Sequence, residues 1–89
     1  MGYYEAFKNH TKITKTPAYS LNTSDQGTTL QVSDGEEAVA FEVRENGPSS
    51  RLLYFSNSFT FTVPAKVYQS SAKVYAVQAD GERILMNLK

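Results

Sequence analysis

Apolar and polar side chains alternate with a period of two along much of this chain. Val39, Phe41 and Val43 interleave with Ala40, Glu42 and Arg44, and Phe59, Phe61 and Val63 interleave with Thr60 and Thr62. Successive strand side chains point to opposite faces, so each pattern predicts a half-buried strand. Leu30 and Val32 begin a shorter example after Thr28-Thr29. Turn chemistry separates these segments at Ser24-Asp25-Gln26-Gly27, Ser33-Asp34-Gly35, Asn46-Gly47-Pro48 and Asp80-Gly81, where Gly and Asx residues relieve backbone strain.

Three further expectations follow from the same reading. Arg51-Leu52-Leu53-Tyr54-Phe55 is apolar on both sides and predicts a central strand, with Asn57-Ser58 turning it back. Pro64 ends the strand after Val63 or marks a sheet edge, because it has no N–H to donate. Val67-Tyr68 forms a short strand of its own. Asp80-Gly81 suits a two-residue type I′ turn, which pairs Val77 with Ile84, Tyr75 with Met86 and Lys73 with Leu88. That register gathers Val77, Ile84, Tyr75, Met86 and Leu88 on one face.

The fold class expected is all-β: a small antiparallel β-sandwich or partly open barrel of about six to eight short strands. Residues 1–16 read as an extended or briefly helical N-terminal arm, and residues 17–89 as one β domain. Any helix there would run over Tyr3–Asn9, too short to hold without docking on something else.

Composition narrows the class of function. Eighty-nine residues suffice for one domain. No cysteine is present, so disulfides, thiolate metal sites and thiol catalysis are excluded. The N-terminal residues offer neither a basic nor an apolar signal region, and no apolar run approaches the roughly 20 residues that span a bilayer. Formal charge is zero but uneven: Lys8, Lys12 and Lys15 sit near the start, while Asp25, Asp34, Glu36, Glu37, Glu42 and Glu45 dominate residues 24–46. A neutral balance disfavours nucleic acid, which needs a concentrated basic surface.

Candidate chemistry is sparse. His10 is the only histidine and cannot build a metal site or a catalytic relay alone. Asp34-Gly35-Glu36-Glu37 lacks the ligand spacing of a calcium loop. Glu42, Glu45 and Glu82 read as solvated acids rather than a glycosidase pair. No phosphate-binding glycine loop occurs. No catalytic residue, metal or cofactor is therefore expected.

Binding is the remaining class. Tyr3, Tyr4, Phe7, Lys8 and Lys12 form an aromatic and basic cluster near the terminus, of the kind that anchors protein partners. Glu36 and Glu37 supply an acidic contact. The leading expectation is a non-enzymatic structural or adaptor protein that assembles with a larger complex or with its own copies. A decoration, joining or fibre-base component of a phage-like virion has this architecture. The alternatives are an acidic-faced inhibitor of a protein partner, and a carbohydrate- or nucleic-acid-binding module that stacks ligands on Tyr54, Tyr68 or Tyr75.

Overall fold

A computed structural model describes residues 15–89. Among them, eight strands form: β1 (Ala18–Ser24), β2 (Gly27–Ser33), β3 (Ala40–Arg44), β4 (Leu52–Ser56), β5 (Thr60–Pro64), β6 (Lys73–Val77), β7 (Arg83–Leu85) and β8 (Asn87–Leu88). They make two four-stranded sheets, β5-β2-β1-β8 and β4-β3-β6-β7. All pairings are antiparallel except that of β1 with β8. The fold is the expected small all-β sandwich, without a helix among the described residues. The helix expected over Tyr3–Asn9 lies outside those residues, as does all of the expected arm 1–16 except residues 15 and 16.

The core follows from the alternation. The first sheet contributes Tyr19, Leu30, Phe61 and Val63, and the second contributes Phe41, Val43, Val74 and Ala76. Leu30, Val43, Val63 and Ala76 have no exposed surface, and burying a leucine or valine side chain is worth about 1.5–3 kcal/mol of transfer free energy. Phe61 is the hub of the aromatic contacts. It stacks on Phe41 at 6.4 Å and on Tyr54 at 5.9 Å, while Phe59 meets Phe41 edge-on at 5.8 Å. Phe59 covers the end of the core rather than filling it, and stays about half exposed.

Met86 joins the two layers. Its N–H donates to the Val74 carbonyl at 2.9 Å, continuing the second sheet. One residue later the chain has crossed to the first sheet, where Asn87 N–H reaches the Pro17 carbonyl and Lys89 N–H the Tyr19 carbonyl. The Met86 side chain is buried at this corner.

Three expectations need correction. β4 is an edge strand of the second sheet, not a central one. No strand forms at Val67-Tyr68: residues 65–67 are a turn, and the N–H groups of Val67 and Tyr68 both donate to the Pro64 carbonyl. The final hairpin is one residue out of the expected register: Val77 pairs with Arg83, Ala76 with Ile84 and Tyr75 with Leu85. A type I′ turn needs positive φ at both central residues, but only Gly81 adopts it, at 90°. The chain closes instead with Gly81 N–H donating to Gln78 O, and Gln78 N–H donating to Glu82 O. This is a type I turn with a glycine bulge. A one-residue slip inverts one strand relative to its partner, so Tyr75 and Val77 turn outward with Leu85 while Val74 and Ala76 join Met86 in the core.

Gly27 opens β2 with φ of 154°, and a Cβ there would fall on the Val63 carbonyl oxygen. Gly81 also has positive φ but faces open space. Gly81→Ala therefore costs about 1 kcal/mol for its left-handed backbone. Gly27→Ala adds a clash within the β2–β5 ladder and costs about 3 kcal/mol. Urea unfolding of the two variants separates these terms; equal losses would show that Val63 does not crowd Gly27.

Candidate functional site

The outer faces of the two sheets differ in chemistry. On the first sheet, Ser20, Asn22, Thr29, Gln31, Thr60 and Thr62 point away from the core, and Thr29 and Thr62 share a hydroxyl hydrogen bond of 2.8 Å. Small polar side chains of this kind make an ordinary solvated face. The second sheet is different.

Across it runs a row of directly paired residues: Phe55 on β4, Glu42 on β3, Tyr75 on β6 and Leu85 on β7. Cross-strand partners share a face, so an aromatic ring stands on each side of the carboxylate. Beside this row, Arg44 is flanked by Leu52 and Lys73; on the other side, Ala40 leads through Val77 to Arg83. The β3–β4 register shifts between Val43 and Arg44. The bulge turns Leu53 and Tyr54 inward and leaves Leu52 and Phe55 outward. Phe55 is 56% exposed, Leu85 50% and Leu52 44%. This is a large apolar surface for so small a domain, and such patches mark binding sites.

Glu42 is the centre of the row. Its residue is only 7% exposed, and a carboxylate so far from water needs compensating cations. Two arginines supply them. Arg44 Nε donates to Glu42 Oε1 at 2.8 Å, and Arg83 Nε donates to the same oxygen at 2.6 Å. Arg83 Nη2 approaches Oε2 at 3.5 Å. Arg44 is steadied from the other side, because its Nη1 donates to the Ser50 carbonyl at 2.7 Å in the β3–β4 loop. The hydrogen bond from Arg44 is the main cause holding the Glu42 carboxyl below its ordinary pKa; burial opposes it, and Arg83 assists.

The residues singled out from the sequence are distributed differently. Tyr3, Tyr4, Phe7, Lys8 and Lys12, with His10, lie outside the described residues. Glu36 and Glu37 occupy a turn closed by Ala38 N–H on the Gly35 carbonyl, in the β2–β3 connection and not in the Glu42 row. Of the three tyrosines considered as stacking platforms, Tyr54 and Tyr68 pack against the core, and burial raises the Tyr68 phenol above its ordinary pKa. Tyr75 alone is on the outer row. Phe55, Arg44 and Arg83 were not singled out. A same-face Glu-x-Arg on β3 and the two-sided apolarity of residues 52–55 were the available signals for the first two. Arg83 required the correct hairpin register.

Residues 18–85 match the family described as the Peptidase M60 C-terminal domain. The chain belongs to that family. It is also similar to two solved structures, a metallopeptidase from Bacteroides thetaiotaomicron and a metallopeptidase in complex with Tn antigen. Each is 46% identical over 93% of this chain, with a TM-score of 0.67. The chain spans only 13% and 15% of their respective lengths. No curated protein matches it.

These relationships overturn the expectation of a structural or adaptor protein of a phage-like virion; neither a virion role nor an oligomer is supported. The error came from reading architecture as function, which a sandwich does not license. Metallopeptidase chemistry needs a metal, and among the described residues no group of three or more His, Cys, Asp or Glu could hold one. These residues do not fit such a centre.

The Glu42 cluster makes a pH-dependent contribution to stability. Its lowered pKa means that the contribution is complete above the ordinary carboxylate range and is lost as pH falls through the depressed value. Glu42→Gln costs about 1–2 kcal/mol at neutral pH. The gap between wild type and variant, followed by urea unfolding as the solution is acidified, closes at low pH. A gap that persists unchanged would show that the ion pairs are not its source.

Proposed function

We propose that this chain is an accessory carbohydrate-binding module of a metallopeptidase that acts on glycosylated protein, and that the outer face of the β4-β3-β6-β7 sheet is its binding surface. The module contributes recognition, while peptide-bond cleavage belongs to other parts of a longer enzyme. Family membership supports the enzyme context, and the metallopeptidase in complex with Tn antigen supports the ligand class. Tn antigen is a single N-acetylgalactosamine on a serine or threonine, so a protein-linked sugar is the simplest ligand to consider.

The observation that carries the reading is the Phe55–Glu42–Tyr75 row. A galacto-configured pyranose has an apolar C–H face, cleared by its axial 4-hydroxyl, and further polar groups around its rim. Phe55 presents an exposed ring on which the apolar face stacks, with Tyr75 two strands away on the same surface. Between them the Glu42 carboxylate and the remaining arginine N–H groups offer acceptors and donors at fixed positions. Because the strands and ion pairs already hold these groups, little side-chain freedom is lost on binding.

The test is titration of the 89-residue chain with a threonine glycopeptide carrying N-acetylgalactosamine, followed by NMR, beside the same peptide without sugar. Amide shifts should cluster on residues 42–44, 52–55 and 73–77 and require the sugar. Phe55→Ala should weaken binding roughly tenfold, the worth of about 1.4 kcal/mol of ring contact. Shifts caused equally by the bare peptide, or absent altogether, would refute the carbohydrate reading.

A further inference from the structure

We infer that the glycan taken by this face carries an anionic substituent, a carboxylate or a sulfate ester, which Arg44, Arg83 and Lys73 recognise. The inference rests on the carbohydrate reading above and specifies the ligand of the same surface.

Its basis is the charge balance and donor inventory of the face. The charged outward strand residues are Arg44, Lys73 and Arg83 against the single carboxylate of Glu42. Glu42 neutralises one charge and leaves an excess of two. Arg83 remains about half exposed while holding Glu42. Lys73 is exposed, pairs directly with Arg44 across β3 and β6, and makes no ion pair among the described residues.

The geometry leaves donors free as well as charge. Arg44 uses Nε on Glu42 and Nη1 on Ser50, so Nη2 has no acceptor among these contacts. Arg83 uses Nε and, more loosely, Nη2 on Glu42, which leaves Nη1. Both guanidiniums are oriented by one carboxylate oxygen, so Glu42 acts as a positioning residue. It turns two flexible cations into a fixed pair of planar forks, the arrangement that suits carboxylate and sulfate oxygens. Neutral hydroxyls would use these donors less fully and would leave the excess charge without a counterion. Phe55 and Leu85, at the ends of the same row, supply the apolar platform for the sugar ring.

The experiment compares three glycopeptides of identical sequence on the 89-residue chain: N-acetylgalactosamine alone, the same sugar sialylated, and the same sugar sulfated. At least one anionic form should bind roughly tenfold or more tightly than the neutral one in low salt, and that advantage should shrink as salt is raised. Lys73→Glu, an exposed change, should reduce the advantage severalfold, with a dispersed NMR spectrum confirming the fold. Arginine Nε–H signals of residues 44 and 83 should shift with the anionic ligand. A response to sialyl but not sulfate, or the reverse, identifies the anion and supports the inference. Equal affinity for neutral and anionic forms overturns it and leaves the carbohydrate reading standing. Absence of binding by all three overturns both.

Discussion

The closure of the last hairpin fixes more of this molecule than any other local contact. Gln78 and Glu82, joined through a bulged turn with Gly81 at positive φ, set which side of β7 faces which layer once β6 is held by β3. With that register, Val74, Ala76 and Met86 seal the core, and Tyr75, Leu85 and Arg83 stand on the opposite surface. Shifting the pairing by one residue would invert β7 against β6, placing Arg83 away from Glu42 and exchanging Ile84 for Leu85 on the core side. Core and outer face are therefore two readings of one backbone geometry.

The second dependence is electrostatic. A nearly buried carboxylate on the face of a sheet is unfavourable in isolation, and Glu42 is tolerable there because two guanidiniums converge on it. Replacing such a cluster with apolar residues often leaves stability unchanged or improved, so stability alone is a weak reason for its presence. Orientation is a better one. The cluster links β3 to β7 across β6, ties in the β3–β4 loop through Ser50, and holds charged groups still beside exposed rings.

Strand content was legible because alternation is a local signal. Phe41, Val43, Phe61 and Val63 are buried as their pattern required, and the turns at residues 24–27 and 78–82 fall where Gly and Asx residues stood. What could not be read was non-local. Two-sided apolarity in residues 51–55 came from a bulge and an exposed edge strand, not from burial in mid-sheet. Glu42 looked like a solvated acid, since Arg83 lies 41 residues away in sequence and meets it only through the sandwich. Tyr54 and Tyr75 differ by no sequence feature that would assign one to the core and the other to the surface. The Phe55–Glu42–Tyr75–Leu85 row emerges from pairing, which single-residue patterns do not encode.

The parallel pairing of β1 with β8 has a mechanical consequence. Ala18 lies beside Asn87 and Tyr19 beside Leu88, so the two strands run the same way and are bonded side by side. Tension applied between Pro17 and Lys89 pulls these strands lengthwise past one another. The bonds from Asn87 to Pro17 and from Lys89 to Tyr19 then carry load together instead of opening in sequence, and the first event under force is a shear of the pair rather than a peeling of the sheet.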